Sequence, residues 1–269
     1  MHLKEAEHEP TFGGKAVSLG AAIRAGLPVP HGIAVPAALV DLIASGDLDA
    51  VAAVRDHPHF PEGRVAVRSS AVGEDSATAS FAGQHATLLN VARSLLREAV
   101  HAVWESGRSE AALAYRSRRG ITAAPSVAVV VQTLVEAVAA GVLFTRNPVT
   151  GADEILIEAA WGLGEAVVSG RVVPDTYRLD SRGSVLECTA GDKDVRIWYD
   201  DESGTAGGTI ELPVSDDLRG ALCLDREQLQ QLHALAARCR AVWQTDLDLE
   251  WALAPDGTIH LLQSRPITT

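Results

Sequence analysis

Apolar positions along the chain change their spacing from segment to segment, and the spacing predicts the elements. Residues 15–25 carry Val17, Ile23 and several alanines at helical intervals, with Gly26 where a C′ glycine belongs and Pro28 beyond it. Gly13-Gly14, just before, can adopt positive φ and bring backbone close to a ligand. Residues 29–36 read as extended chain and residues 37–62 as a weakly patterned connector. Residues 65–69 read as a strand, followed by a Gly/Ser/Thr-rich loop to Gly83. Residues 92–119 read as two helices parted near Gly107. The continuous apolar run 127–131, bounded by Pro125, suits a buried strand. Further strands are expected at 141–145, ended by Asn147-Pro148 and Thr150-Gly151, and at 155–158. Trp161-Gly-Leu-Gly164 then turns the chain into a short helix at 165–168. Residues 171–214 read as short strands with Gly/Asp turns. Asp225 and Gln228 have capping-box spacing ahead of a long helix, 229–243. Strands and helices mix without a regular βαβ rhythm, so the fold class expected is α+β (mixed α/β).

The sharpest local pattern lies at the C-terminal end. Residues 246–251 alternate strictly, so a strand puts Asp246, Asp248 and Glu250 on one face and Leu247, Leu249 and Trp251 on the other. Asp256-Gly257 is a preferred two-residue hairpin loop. Counting back from it pairs Glu250 with Gln263 and Asp248 with Arg265. A carboxylate beside an amide oxygen suits Mg²⁺, and the arginine offers a donor fork to a phosphate or to Asp248. A loop of three residues would shift this pairing by one. A solvent-facing strand with one cross-strand ion pair is the other reading of the same pattern.

Composition narrows the classes. The 269 residues are 47% hydrophobic, enough for a sizeable core in one large or two small domains. Net charge −12 disfavours nucleic-acid binding. No apolar run is long enough to span a membrane, and the polar first residues lack a secretory h-region. Cys188, Cys223 and Cys239 are widely spaced and fit thiols of a reducing, cytoplasmic setting.

Two cations invite a closer reading. Lys15 follows the glycine pair and opens a helix, where anions are attracted, although Ala16 after it rules out a Walker A loop. It reads equally as a surface lysine. Arg68 ends an apolar strand beside Ser69-Ser70, either as a phosphate clamp or as a structural arginine paired with Glu74 or Asp75. Trp161-Gly-Leu-Gly-Glu165 is no dinucleotide fingerprint. Neither HExxH nor GxSxG occurs, and the nine histidines show no metal-ligand spacing.

Taken together, several segments resemble one family: the N-terminal ATP-binding domain of pyruvate phosphate dikinase, phosphoenolpyruvate synthase and rifampin phosphotransferase. They are Phe12-Gly-Gly-Lys-Ala-Val-Ser-Leu-Gly20, Val65-Ala-Val-Arg-Ser-Ser-Ala71 with Ala79-Ser-Phe-Ala-Gly-Gln84, and Val142-Leu-Phe-Thr-Arg-Asn-Pro-Val-Thr-Gly151. Trp161-Gly-Leu-Gly-Glu-Ala-Val-Val-Ser-Gly170 with Pro174-Asp175, and Asp248-Leu-Glu-Trp251 with Leu262-Gln-Ser-Arg-Pro-Ile267, follow in family order. The resemblance implies an ATP-grasp-like fold of two lobes, 1–120 and 121–269, with the nucleotide cleft between them. It implies that Lys15 and Arg68 contact the ATP phosphates, that Gly83 and Thr87 help cover them, and that Gln132 and the backbone through Val135 line the adenine slot. By the same resemblance Glu250 and Gln263 bind Mg²⁺, Asp248 lies beside the metal, and Arg265 stabilises charge on the transferred group.

The expected function is that of an Mg²⁺- and ATP-dependent phosphotransferase component. It would pass a phosphoryl group to a histidine on a partner protein or to a small acceptor. A nucleotide-binding regulatory module without turnover, or an ATP-grasp ligase forming an acyl phosphate, are the alternatives. Thr205-Ala-Gly-Gly-Thr209 has the glycines of the family's phosphohistidine domain but no histidine after them. Three expectations follow: separate polypeptides supply the phosphohistidine and acceptor domains, the sequence is an excised part of a longer protein, or phosphate is transferred by another route. The stretch 35–64 is also shorter than the family pattern, which implies a reduced N-terminal lobe.

Overall fold

The computed structural model describes residues 1–72, 75–76, 79–80, 86–118, 125–200 and 206–267. The chain forms two compact units. The first comprises residues 1–24, 30–134 and 199–209, the second residues 25–29, 135–198 and 210–269. The apolar run at 127–131 therefore belongs to the first unit, and the division falls after Leu134 rather than at 120.

The first unit contains α1 (Glu9–Arg24), β1 (Gly32–Val35), α2 (Ala37–Ala44), α3 (Leu48–Arg55), β2 (Val65–Ala71), β3 (Asp75–Ser76), β4 (Ala79–Ser80), β5 (Thr87–Val91), α4 (Leu96–Ser106), α5 (Glu110–Arg118) and β6 (Val127–Thr133). Its antiparallel sheet has the order β1-β6-β2-β5. One face carries Ile33, Val35, Val65, Val67, Val129 and Val131, and packs on α2, α3 and α4. α4 meets it with Leu96, Ala99, Val100 and Val103, the i, i+3, i+4, i+7 stripe of an amphipathic helix. Burial of Leu96, Val100 and Val103 stabilises the fold by about 1.5–3 kcal/mol each, and that of Ala99 by less. The opposite face carries small and polar residues, Ala66, Arg68, Ser70, Ala128 and Gln132, and packs against α1.

Residues 37–44 and 48–55 are helical rather than connector. α2 is almost wholly apolar, so no period stands out in its sequence, yet it buries Val40 and Ile43. Asp47 caps α3, its side chain accepting the Ala50 N–H. The first helix begins earlier than expected, at Glu9, and is interrupted at Gly13 (φ 75°).

The second unit contains β7 (Ala139–Phe144), β8 (Ile155–Trp161), α6 (Glu165–Val168), β9 (Asp175–Leu179), β10 (Val185–Thr189), β11 (Val195–Tyr199), β12 (Thr209–Pro213), α7 (Asp216–Arg219), α8 (Arg226–Trp243), β13 (Leu247–Leu253) and β14 (Ile259–Pro266). Six strands form an antiparallel sheet, β10-β9-β8-β7-β13-β14. One face buries Leu143, Ile157, Tyr177, Leu247, Leu249 and Trp251, and α8 packs on β13. The capping box at Asp225 and Gln228 forms as expected. Helix and sheet are mixed in both units, in agreement with the expected class.

Candidate active site

The hairpin of β13 and β14 pairs Glu250 with Gln263 and Asp248 with Arg265, as the sequence count proposed. The route to that pairing is different. Ala254 N–H donates to Thr258 O and Gly257 N–H to Ala254 O, so the loop is the three residues Pro255–Gly257, with Gly257 at φ 84°. Near the tip, Leu253 faces Ile259 and Trp251 faces Leu261. A β-bulge between Glu250 and Trp251 leaves Leu262 as an extra residue, and the pairing resumes with Glu250 opposite Gln263. The longer loop and the bulge offset one another.

The base of β13 is held by the segment between β7 and β8. Thr145 N–H donates to Leu247 O at 2.9 Å, and Leu247 N–H donates to Thr145 Oγ1 at 2.8 Å. Arg146 Nε donates to Asp246 Oδ2 at 2.6 Å. Asn147 Oδ1 accepts the Val149 and Thr150 N–H groups, both at 3.0 Å, and so shapes the turn. Asp246 is thereby committed to Arg146 and stands apart from Asp248 and Glu250.

Register then extends the site across the sheet. Glu250 lies opposite both Gln263 and Val142, and Val142 opposite Glu158. Directly paired residues of an antiparallel sheet share a face, so Asp248, Glu250, Gln263, Arg265 and Glu158 lie on one face. Glu158 was not among the residues picked from sequence. Its strand, Ile155-Leu-Ile-Glu, reads as ordinary alternation, and only the β7–β8 pairing brings it into this row.

The electrostatics of the row are unusual for a solvated strand. Asp248 is 8% exposed. Its Oδ2 accepts from Arg265 Nε at 2.8 Å and Nη2 at 2.7 Å. Burial pushes the Asp248 carboxyl up, and the Arg265 guanidinium opposes that rise. Burial, then the Asp248 charge, pushes Glu158 up as well. Two carboxyls with raised pKa and a third, Glu250, beside a carboxamide make a hard-oxygen donor set in which acidic groups outnumber the Arg265 guanidinium. That set fits Mg²⁺, whose ligands Glu250 and Gln263 would supply.

In the first unit, Lys15 on α1 is 4% exposed and Arg68 on β2 is 6% exposed, so Lys15 is no surface lysine. Both make polar or electrostatic contacts. Ala16 N–H donates to Ser70 Oγ at 2.9 Å, tying the residue after Lys15 to the strand that carries Arg68. The glycine pair serves this approach. A Cβ on Gly13 would lie 1.8 Å from Ser70 O, so the close contact its conformation permits is to β2. Thr87 faces Arg68 across the β2–β5 pair and is exposed. Gln132 is 2% exposed, and its Nε2 donates to Pro30 O at 3.1 Å. Val135 is half-buried where the chain enters the second unit. Gly83 and Glu74 lie outside the described residues, as does the side chain of Asp75.

The chain was compared with known proteins. A family model for the pyruvate phosphate dikinase AMP/ATP-binding domain matches residues 47–269. A probable phosphoenolpyruvate synthase of Methanothermobacter thermautotrophicus is 37% identical over 96% of this chain and 44% of that protein. The prodigiosin synthesizing transferase PigC of Serratia marcescens is 40% identical over 96% of this chain and 32% of its own length. A rifampicin phosphotransferase of a Streptomyces species is 40% identical over 76% of this chain and 24% of its own length. The chain spans less than half the length of these three relatives. Among solved structures, D-cycloserine synthetase DcsG aligns with 95% of this chain and 62% of its own, at TM-score 0.44 and 14% identity, too distant to bear on function. No helix among the described residues is long and apolar enough to cross a membrane. The family match covers β13, β14 and Arg68, and with the relatives spanning nearly the whole sequence it establishes that the chain belongs to the family of pyruvate phosphate dikinase AMP/ATP-binding domains.

Proposed function

We propose that this domain binds Mg·ATP and serves a phosphotransferase, passing a phosphoryl group to a histidine of a partner protein or to a small acceptor. The observation that carries the reading is the row of Asp248, Glu250, Gln263 and Arg265 on one half-buried sheet face, in a chain of this family. Glu250 and Gln263 hold Mg²⁺, which neutralises charge on the nucleotide phosphates. Lys15 and Arg68 bind phosphate oxygens, and Gly83 and Thr87 cover them. Gln132 and the backbone through Val135 line the adenine slot, with Gln132 oriented by its bond to Pro30. Arg265, held by Asp248, stabilises charge on the transferred group. Phosphoryl transfer needs positioning and charge neutralisation more than covalent participation, and these groups supply both.

Calorimetric titration with ATP in Mg²⁺, and again in EDTA, tests the reading. Saturable binding that needs the metal is expected, together with its loss in Lys15→Ala and Glu250→Ala. Absence of metal-dependent binding overturns it. Product analysis with candidate acceptors then separates AMP formation, expected for transfer through a histidine, from ADP formation, expected for an acyl-phosphate ligase.

A further inference from the structure

Three histidines far apart in sequence, His2, His31 and His59, come together in the first unit. Each offers one ring nitrogen, and these nitrogens lie within 4.8 Å of one another. The ring centroids of His2 and His59 are 4.7 Å apart, those of His2 and His31 5.5 Å, and those of His31 and His59 6.3 Å. Sequence spacing concealed the group, because each histidine stands in a different segment.

The backbone sets this convergence. His2 forms an antiparallel bridge with Ile33. Met1 reinforces it, its ammonium donating to Ala34 O and its carbonyl accepting the Ala34 N–H. His31, two residues before Ile33, is then the diagonal neighbour of His2 on the same face. His31 O accepts the Thr133 N–H at 2.8 Å, which fixes its backbone to β6. His59 stands in the turn after α3. Its N–H donates to His57 Nδ1 at 3.2 Å, and Phe60 N–H donates to His57 O at 2.8 Å, while Phe60 itself is buried in the core.

We propose that His2, His31 and His59 form a binding site for a divalent transition-metal ion of the Zn²⁺ type, which ties the N-terminal residues to β1 and to the turn before β2. Imidazole favours Zn²⁺, Cu²⁺ and Ni²⁺, whereas Mg²⁺ prefers the oxygen donors of the second unit, so the two sites select different ions. Three histidines with a fourth position left to solvent are an accepted tetrahedral zinc environment. Zn–N bonds of about 2.1 Å place the nitrogens roughly 3.4 Å apart. His31 and His59 are exposed, so their rings can rotate inward without disturbing packing. His2 Nδ1 accepts the Lys4 N–H at 3.0 Å. Coordination through Nδ1 exchanges that bond for the metal. Coordination through Nε2 moves the ring proton to Nδ1 and releases Lys4. Burial, and then the neighbouring His59 and His31, lower the pKa of His2, which favours the neutral imidazole that a metal requires.

The test uses the full chain without a histidine tag, in excess Mg²⁺ to occupy oxygen sites. Zn²⁺ affinity is measured by competition with a chromophoric chelator for the wild type, His31→Ala, His59→Ala and, as a control, the exposed His101→Ala. One Zn²⁺ per chain is expected, with binding weakened at least about tenfold by either site substitution and unchanged by the control. Zn²⁺ should raise the wild-type Tm and leave that of the two site variants unmoved, and the metal-free Tm values should agree because both side chains are exposed. Co²⁺ should give the visible absorption of a tetrahedral nitrogen site in the wild type alone. Wild-type protein that binds no Zn²⁺, or site variants that bind it as well as the wild type, overturn the proposal.

Discussion

Among the aspartate–cation pairs of the second unit, Asp175–Lys193 and Asp248–Arg265 are built to opposite ends. Asp175 and Lys193 are both 0% exposed. Asp175 Oδ1 accepts from Lys193 Nζ and from Gly191 N–H at 2.8 Å, and Oδ2 from Cys223 N–H at 2.8 Å and Tyr177 OH at 3.3 Å. Tyr177 OH in turn accepts the Leu224 N–H at 3.0 Å. Burial pushes the Tyr177 and Cys223 side chains far up, so both stay protonated. Backbone donors close this carboxylate on every side, and it joins β9 to the chain entering α8. Asp248, by contrast, has Arg265 on one oxygen and other carboxylates as neighbours. A charge that is surrounded and satisfied is architecture. A buried carboxylate with a cation on one oxygen only keeps capacity for a further positive charge.

The largest expected effect tests the closed pair. Lys193→Met leaves Asp175 sealed from water without its cation, and should lower stability by about 3–5 kcal/mol in urea denaturation. A loss under about 1 kcal/mol would erase the contrast. Arg265→Met should do the reverse, costing about 1 kcal/mol or less of stability while lowering phosphoryl transfer on the order of 10²-fold, read as turnover of ATP.

A smaller effect concerns Glu158. Its carboxyl pKa is raised in the folded state, so the folded protein holds more protons than the unfolded chain between the two values. The group favours folding at low pH and costs stability as pH rises through the folded value. Glu158→Gln should therefore gain roughly 0.5 kcal/mol at pH 7 without Mg²⁺, and the gain should vanish below about pH 4. Equal gains at both pH values would remove the carboxyl charge as its source. The smallest effect belongs to Arg219, which bonds Asp192 at 2.5 and 2.9 Å with both side chains well exposed. Despite that geometry, Arg219→Ala should leave stability unchanged within the error of denaturation, because solvent screens the pair. Thermal unfolding of the four variants together would rank burial against geometry.

Local chemistry was readable from the sequence; long-range pairing was not. The α8 cap, the strand at 127–131 and the hairpin acids follow from spacing alone. The Glu250–Gln263 pairing was reached through a two-residue loop that the protein does not use, and agreed only because the bulge at Leu262 restores the count. A bulge has no strong residue signature. α2 hid because an apolar helix of eight residues shows no period. Glu158 and the three histidines hid because their significance depends on which strands are neighbours. Pro174-Asp175, part of the family resemblance, turned out to be architectural for the same reason: the partners of Asp175 lie up to 48 residues away.

The bulge at Leu262 also changes what odd and even numbering mean along β14. Toward the tip, Ile259 and Leu261 pair with Leu253 and Trp251 and point into the core. Past the bulge, Gln263 and Arg265, still odd-numbered, point to the opposite side with Glu250 and Asp248. Leu262 thus acts as a phase shifter: odd-numbered residues face the core before it and the opposite side after it. Without the bulge the ladder would set Leu262 opposite Glu250 and turn the amide and the guanidinium toward the core, whereas changes to the tip loop leave the phase untouched.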